Sequence, residues 1–379
     1  HCVTRRQRQM CIRDSAATAL EKIATGYSNL EFDLSSGTRG KRAEYLETAL
    51  ACLLETEAAT AVNNCAAALV LTLRTLVEEG KNEVIVSRSE LVEIGGGFRI
   101  PEILETSGAK LVEVGATNKT HLHDYEKAIT PQTALILKVH RSNFYIDGFI
   151  GEPEIPKIAK LAHDHDLPLI EDLGSGAMIN TDKLAPIEHE PTPQECLRRG
   201  IDLVIFSGDK LLGGPQSGII GGNTEMISKI KDEPFFRAVR CDKLILTTLQ
   251  ESIDQYLETK ANPNESDVPV LTFLSKSIDE LKARAKIITK ELPTENTEIT
   301  IESTLARPGG GTMPRSEFPS IAIKLVPNNQ SVTKLSKKLR LSESALVGYT
   351  TEDALFIDLR TIFPETDHKV TEVLKTALS

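Results

Sequence analysis

The fold class is decided by residues 202–222, which read DLVIFSGDKLLGGPQSGIIGG. Two short apolar runs flank a turn rich in glycine and serine, a pattern that is typical of buried strands. Four further apolar runs precede this stretch, separated by amphipathic stretches of helical length: EVIVS at 83–87, KLVEVG at 110–115, TALILKV at 133–139 and LPLIEDLG at 167–174. Continuous apolar strands separated by helices predict an α/β fold with a mostly parallel sheet covered on both faces.

The hydrophobic pattern divides the chain into three parts. Residues 16–290 form the predicted large domain. It has a helical pattern over 15–80, interrupted by GTRGKR at 37–42, and two linking helical stretches at about 223–260 and 270–291. Residues 291–379 are predicted to form a small α+β domain with strands at 319–326 and 354–359. Residues 1–15, HCVTRRQRQMCIRDS, are basic and have no apolar period, so we expect a foreign or disordered segment. The alternative is a basic arm that contacts RNA through Arg5, Arg6 and Arg8.

Composition limits the classes of function. The 379 residues carry 44 Lys and Arg against 54 Asp and Glu, and the net charge of -10 argues against general coating of DNA or RNA. The longest apolar run, residues 65–73, is too short to cross a bilayer. The six cysteines form no CxxC pair, which argues against a zinc site and a disulfide framework. We therefore expect a cytoplasmic globular protein with no metal site, no membrane contact and no DNA partner.

Lys210 is the strongest candidate for a catalytic residue. It lies in a turn rich in serine and glycine directly after an apolar strand, the position at which open α/β sheets bind ligands. Small neighbours let a cofactor approach the backbone, and the Ser207 hydroxyl can donate a hydrogen bond to a phosphate. The pattern is compatible with a lysine that forms a Schiff base. The alternative is a surface lysine in an ordinary turn.

Asp172 supplies a partner for this interpretation. It lies near the end of the apolar strand at 167–174, within EDLGSG at 171–176. A buried carboxylate requires a cationic partner, and the protonated ring nitrogen of pyridoxal phosphate is one. Asp172 and Lys210 together therefore predict a pyridoxal-phosphate site. A helix N-cap or a metal ligand is the alternative role for Asp172.

A phosphate site is predicted at residues 62–69, VNNCAAAL. Backbone amides at the start of an alanine-rich helix bind phosphate, and the side chains of Asn63 and Asn64 can cap that helix. Ordinary N-capping is the alternative.

Five segments resemble one family, the bacterial selenocysteine synthases, which are L-seryl-tRNA(Sec) selenium transferases. The resemblance runs from about Thr25 to the C-terminus, and the segment at 207–216 is highly specific to the family. The segments are SRSELVEIGGGFRIPE at 87–102, VGATNKTHLHDYEKAI at 114–129, LILKVHRSNFYIDGF at 135–149, EDLGSG at 171–176 and SGDKLLGGPQ at 207–216. The resemblance implies a fold-type I, aminotransferase-like pyridoxal-phosphate enzyme. It would convert seryl-tRNA(Sec) to selenocysteinyl-tRNA(Sec) with selenophosphate, through an aminoacrylyl intermediate.

The resemblance also implies roles for individual residues. Lys210 matches the family's Schiff-base lysine and Asp209 the adjacent catalytic aspartate. Arg237 and Arg240, in FFRAVRCDK, match the paired arginines that hold the anionic selenium donor, and guanidinium groups suit a phosphate-like anion. A solvated helix face is the alternative for both arginines. Asp172 follows the role of partner to the pyridine nitrogen by its position.

Some positions depart from the family or fit it less closely. Asn64 and Ser207 are weaker candidates for binding the cofactor phosphate. Cys65 stands where the family usually has a third asparagine, a change that we expect to be tolerated because backbone amides bind most of the phosphate. Arg39 and Arg42, in GTRGKR at 37–42, form a further basic cluster for which a ligand role and a solvated loop stay open.

The family normally begins with an RNA-binding domain and a segment close to HTNLGR, and the sequence contains neither. We therefore expect an N-terminally truncated member, with seryl-tRNA(Sec), selenophosphate and further copies of the chain, in a homodimer or larger homo-oligomer, as partners. Two other functions stay open. One is a related pyridoxal-phosphate lyase acting on a small amino acid or an amino-sugar acid, and the other is a non-catalytic scaffold.

Overall fold

A computed structural model describes residues 14–94, 97–259, 268–309 and 312–379. The segment 1–15, expected to be foreign or disordered, lies outside the described residues except for its last two, with which the first helix begins. The helices are α1 (Asp14–Thr25), α2 (Glu44–Leu54), α3 (Cys65–Leu76), α4 (Ile100–Thr106), α5 (Leu122–Ala128), α6 (Ile155–Asp164), α7 (Thr181–Leu184), α8 (Pro193–Arg198), α9 (Thr224–Asp232), α10 (Phe236–Val239), α11 (Lys243–Thr259), α12 (Pro269–Ser275), α13 (Ile278–Lys290), α14 (Val332–Arg340) and α15 (Asp367–Leu378). The strands are β1 (Phe32–Asp33), β2 (Thr38–Arg39), β3 (Ala58–Val62), β4 (Glu83–Ser87), β5 (Glu93–Ile94), β6 (Phe98–Arg99), β7 (Lys110–Val114), β8 (Thr133–Val139), β9 (Leu169–Gly174), β10 (Leu203–Ser207), β11 (Gly218–Gly222), β12 (Thr297–Ala306), β13 (Phe318–Pro327), β14 (Tyr349–Thr350) and β15 (Leu355–Asp358).

The larger sheet has seven strands in the order β3-β11-β10-β9-β8-β4-β7. Neighbouring strands from β10 to β7 are parallel, and β11 is antiparallel to both of its neighbours. Six strands therefore point in one direction and β11 points in the other. The predicted mostly parallel sheet is confirmed.

Helices cover both faces of this sheet and form two apolar clusters. One face packs against α2, α6 and α11, through residues such as Leu50, Ile158 and Leu249. The other face packs against α3, α4 and α9, through residues such as Leu69 and Leu104. Because both faces are covered, the strand residues are almost all buried, as the continuous apolar runs predict.

The helical pattern expected over 15–80 outside residues 37–42 is wrong at β1 and β3. β3 reads AATAV, and its small side chains let it lie against the glycine-rich β11. A Cβ built on Gly218 would lie 2.2 Å from the carbonyl oxygen of Asn64, so only glycine permits this approach. Alanine has no strong preference for strands, and the pairing with β11 decides the conformation.

A second, antiparallel sheet has the order β12-β13-β15-β14. Its apolar cluster includes residues of α13, α14 and α15, for example Leu281, Leu335 and Leu374. The large and small domains predicted at 16–290 and 291–379 stay a prediction. We propose a boundary before Ile278, because α13 packs on the small sheet. None of the described helices is both long and apolar enough to span a bilayer.

Candidate active site

The carboxyl ends of six strands meet at one edge of the larger sheet, where open α/β sheets bind ligands. The last residues of β3, β4, β7, β8, β9 and β10 are Val62, Ser87, Val114, Val139, Gly174 and Ser207. Asn64 follows β3 and Lys210 follows β10. Asp172 lies in β9, two residues before the end of that strand. The strand directions therefore bring the candidate cofactor residues to the same edge.

A hydrogen-bonded turn holds Lys210. The Gly208 N–H donates to the carbonyl oxygen of Ser217 at 2.9 Å, and the Leu211 N–H donates to that of Ser175 at 3.0 Å, next to the end of β9. A Cβ built on Gly208 would lie 2.8 Å from the backbone carbonyl oxygen of Pro215, so this position requires glycine. The glycine in the motif thus fixes the backbone from which Lys210 projects.

Gly174 marks the point at which three polar side chains converge. A Cβ built there would lie 3.6 Å from Lys210 Nζ, 3.8 Å from Ser142 Oγ and 3.9 Å from Asp172 Oδ1. Gly174 has a φ of +66°, in the left-handed region that favours glycine. Residues after β8 and β10 and within β9 therefore surround one small volume, which a larger residue would fill.

Asp172 is a buried carboxylate that makes no ion pair within 4.0 Å among the residues described. Burial raises the pKa of Asp172 to about 6, although the positive charge of Lys210 acts in the opposite direction. A cationic group placed against this carboxylate would stabilise its ionised form. The environment suits a partner such as a protonated ring nitrogen.

The Cys65 thiol contacts Asp172. Its Sγ donates to Asp172 Oδ1 at 3.7 Å, and burial, followed by the negative charge of Asp172, raises the pKa of the thiol. The thiol therefore stays protonated and remains a donor. We expected the change from asparagine to cysteine at position 65 to be tolerated because backbone amides bind most of the phosphate. Sequence reasoning did not find the contact between the Cys65 side chain and Asp172.

The two phosphate candidates lie at the start of α3. Asn64 caps the helix, because its Oδ1 accepts a hydrogen bond from the Ala67 N–H at 2.8 Å. Ser207 is buried and interacts with the thiol of Cys65, the first residue of the same helix. The structure places both next to Cys65, whose thiol contacts Asp172, and their binding of phosphate stays a prediction.

Asp209 is 7% exposed and adjoins Lys210 in the turn. Its carboxylate makes no hydrogen bond or ion pair that involves the described parts of the chain. The catalytic role of Asp209 stays a prediction.

Arg237 and Arg240 line a cavity of about 420 Å³. Arg39 and Arg42, the basic cluster whose role the sequence left open, line the same cavity. Arg240 pairs with Val62 in an isolated antiparallel bridge, so the cavity adjoins the end of β3. Four arginines from two distant parts of the sequence therefore meet near the start of α3.

Ser142 and His140 are site residues that sequence reasoning missed. The His140 N–H donates to the carbonyl oxygen of Asp172 at 2.9 Å, and His140 Nε2 lies 3.0 Å from Glu190 Oε1. Burial lowers the pKa of His140, but the hydrogen bond with Glu190 and its charge outweigh burial and raise it. Both residues lie within three positions of the end of the strand TALILKV, so the rule that singled out Asp172 could have found them.

A cavity of about 640 Å³ adjoins the same segment and is lined in part by His140, Arg141, Tyr145 and Glu171. Successive side chains of a strand point to opposite faces, so Glu171 and Asp172 lie on opposite faces of β9. Among these neighbours on β9, Glu171 lines the cavity and Asp172 does not.

Comparison with known proteins identifies the family. The chain matches the family model for L-seryl-tRNA selenium transferase over residues 5–363. The chain belongs to this family. It is 44% identical over 361 residues to the L-seryl-tRNA(Sec) selenium transferase of Aquifex aeolicus, a match that covers 95% of this chain and 78% of that protein. The enzyme of the same name from Desulfovibrio desulfuricans is 42% identical over 370 residues, covering 96% and 77%.

A solved structure supports the fold. D-Glucosaminate-6-phosphate ammonia-lyase aligns with a TM-score of 0.64 and 17% identity, covering 97% of this chain and 91% of that one. At this identity the similarity shows the fold alone. With the family match, the expected fold-type I architecture and the class of pyridoxal-phosphate-dependent selenium transferase are confirmed.

The residues at the edge of the sheet fit pyridoxal phosphate, the cofactor of this family. Lys210 supplies an amine, and the buried Asp172 carboxylate lacks a close cation among the described residues. The glycine at 174 keeps open the volume between them. These are the features that the cofactor's aldehyde and ring nitrogen require.

Proposed function

We propose that this chain makes selenocysteinyl-tRNA(Sec) from seryl-tRNA(Sec), with selenophosphate as the selenium donor. The convergence of Lys210, Asp172 and Ser142 around Gly174 carries the proposal, because it offers an amine and a buried carboxylate to one cofactor. Family membership supports the substrate class.

In this proposal four residues hold the cofactor. Lys210 binds its aldehyde, Asp172 faces its ring nitrogen, and Ser207 and Asn64 bind its phosphate with the first amides of α3. Bound pyridoxal phosphate withdraws electrons from the α-carbon of the attached amino acid, so that the α-proton and the β-hydroxyl leave more easily. Asp172 keeps the ring nitrogen protonated, since the buried carboxylate is itself stabilised by that positive charge.

Two neighbouring side chains would move the protons. Once the seryl amine has replaced Lys210 at the aldehyde, the freed Lys210 amine would take the α-proton, and Asp209 would protonate the hydroxyl, which leaves as water. Asp209 suits this role because it is buried next to Lys210 and has no hydrogen-bond partner in the described chain.

The arginine cavity would hold the selenium donor. Arg237 is exposed and makes no ion pair with a described residue, and Arg240 lies beside it in the same cavity. Two guanidinium groups offer the planar sets of donors that bind phosphate-like anions well.

The exposed apolar side chains and the composition of the chain support proposals for its binding partners and its cellular location. We propose a homodimer or larger homo-oligomer, because large apolar side chains such as Tyr27, Leu34 and Phe149 are exposed. The net charge of -10 disfavours DNA as a partner. Cys52, Cys65, Cys196 and Cys241 are free thiols, which suits the reducing cytoplasm.

The test is to load the protein with pyridoxal phosphate, reduce it with borohydride and map the modified peptide by mass spectrometry. We expect the cofactor on Lys210, and no adduct in Lys210→Ala. Lys183→Ala, which removes an exposed lysine on α7, is the matched control and should keep the adduct.

Turnover then separates the functions. Selenocysteinyl-tRNA formation from seryl-tRNA(Sec) and selenophosphate supports the proposal. Ammonia release from free amino acids without selenium transfer would favour the lyase, and folded protein with no adduct would favour the scaffold.

A further inference from the structure

Glu31 joins three arginines of the cavity. Its Oε2 accepts a hydrogen bond from Arg39 Nη2 at 2.8 Å, and its Oε1 accepts one from Arg42 Nη1 at 3.0 Å. Arg240 Nη1 lies 3.7 Å from the same Oε1. The Gly40 N–H donates to the Glu31 carbonyl oxygen at 3.0 Å, so the small β1-β2 hairpin holds the residue in place. One carboxylate therefore lies among guanidinium groups from both parts of the cavity.

The cavity carries more positive than negative charge. Its lining includes five cationic side chains and three carboxylates. Among the carboxylates, Glu233 pairs with Arg74 outside the cavity. Glu31 is thus the carboxylate that three of the four arginines in the cavity share.

Arg42 is anchored independently of Glu31. Its Nη2 donates to the carbonyl oxygen of Cys241 at 2.7 Å, and its Nε is buried without a hydrogen-bond partner in the described chain. Cys241 directly follows Arg240, so this bond ties Arg42 to the segment that carries the paired arginines. Removal of the Glu31 charge should leave this part of the arginine cluster assembled.

We propose that Glu31 competes with the anionic selenium donor for the arginine cluster and so sets the affinity of the cavity for phosphate-like anions. The inference rests on the proposed function, in which Arg237 and Arg240 bind the donor. A carboxylate and a phosphate oxygen use the same guanidinium donors, so both cannot occupy the point between Arg42 and Arg240. The Glu31 side chain is 33% exposed, which leaves it a path to turn toward solvent when the donor binds.

The residue has two opposed effects in this scheme. Without the donor, the negative charge of Glu31 reduces the electrostatic repulsion among the arginine side chains. With the donor bound, its negative charge repels the anion unless the carboxylate moves away. The cavity therefore favours anions with enough charge to displace a carboxylate.

The test compares Glu31→Gln with Glu233→Gln. Both changes remove one negative charge from the lining of the cavity, but Glu233 pairs with Arg74 and not with the cluster. Binding of inorganic phosphate is measured by calorimetry on protein saturated with pyridoxal phosphate, at low ionic strength. We expect about five- to tenfold tighter binding for Glu31→Gln and less than about twofold change for Glu233→Gln. The difference should shrink as salt is added.

A second readout and a second variant guard against indirect effects. The KM for selenophosphate should fall in Glu31→Gln while the cofactor spectrum stays that of the wild type. Glu31→Asp keeps the charge and should keep phosphate binding within about twofold of the wild type.

The outcomes separate this inference from the proposed function. If Arg240→Ala weakens phosphate binding and Glu31→Gln weakens it too or leaves it unchanged, Glu31 only orders the arginines and the inference is wrong. If Arg237→Ala and Arg240→Ala both leave phosphate binding unchanged, the cavity is not the donor site, and the proposed function of the arginines fails together with the inference.

Discussion

Replacing Asp172 with asparagine should stabilise the cofactor-free protein, although it removes a residue of the proposed active site. Burial raises the pKa of Asp172 from 3.8 to about 6. Below about pH 4 the carboxyl is protonated in the folded and unfolded states alike, and it has no effect on stability. Between about pH 4 and pH 6 the unfolded chain releases this proton while the folded chain retains it, so the stability of the wild type falls as the pH rises.

The size of this loss follows from the raised pKa. A change from 3.8 to about 6 corresponds to about 3 kcal/mol of unfolding free energy, which is fully lost above pH 6. Asparagine does not titrate and avoids this loss. The stability of Asp172→Asn relative to the wild type should therefore rise by up to about 3 kcal/mol between pH 4 and pH 8.

Urea unfolding of cofactor-free protein across this pH range measures the effect. Glu83→Gln is the control, because it also replaces a carboxylate of the larger sheet with an amide. The hydrogen bond from Lys110 lowers the pKa of Glu83, so its stabilisation is present above its ordinary pKa and is lost as the pH falls. The stability of Glu83→Gln relative to the wild type should therefore fall as the pH rises, the opposite trend.

The cofactor should reverse the order of stability. Pyridoxal phosphate gives the Asp172 carboxylate a cationic partner, so it should stabilise the wild type by more than it stabilises Asp172→Asn. A relative stability of Asp172→Asn that does not change with pH would refute the claim that the carboxylate is buried without a sufficient partner.

Two further changes test the site and the second sheet. Gly174→Ala should weaken pyridoxal-phosphate binding about tenfold in a fluorescence titration, because the added methyl group enters the volume between Lys210 and Asp172. Gly148→Ala is the control, because Gly148 also has a positive φ but a Cβ built there would have no neighbour within 4 Å. This variant should bind the cofactor as tightly as the wild type. Arg284→Ala should lower the unfolding free energy, measured by urea unfolding, by about 3 to 5 kcal/mol, because Arg284 donates to both carboxylate oxygens of Asp367 at 2.9 and 2.7 Å. A loss below about 1 kcal/mol would contradict a stabilising role for this ion pair.

The larger sheet was predictable because its parallel strands are buried on both faces and read as continuous apolar runs. β12 was not found, because TEITIESTLA alternates apolar and polar residues over a half-exposed strand. The stretch at 270–291 was expected to be a solvated linking helix from its Lys and Glu content. In the structure Leu281, Ala285 and Ile288 of α13 pack on the small sheet. The charged residues on the other face of the helix dominate its sequence, so this narrow apolar stripe was not recognised.

Part of the candidate site was predictable, because the rule that ligands bind where parallel strands end is local. It needs only an apolar run and the residues that follow it, which is how Lys210 and Asp172 were found. The meeting of Arg42 with Arg240 depends on contacts between residues 199 apart, such as the bond from Arg42 to the Cys241 carbonyl oxygen. No local pattern contains that information.

The two parts of the site share one electrostatic property. Asp172 is a buried negative charge with too little positive charge around it, and the arginine cavity holds positive charge that Glu31 only partly balances. Each arrangement costs stability in the protein alone, and ligands of opposite charge relieve each cost. A pyridinium ring suits the first and a phosphate-like anion the second. A lyase that acts on a small amino acid without a phosphate group needs only the first arrangement, so the second is what the proposed transfer from an anionic donor adds to the site.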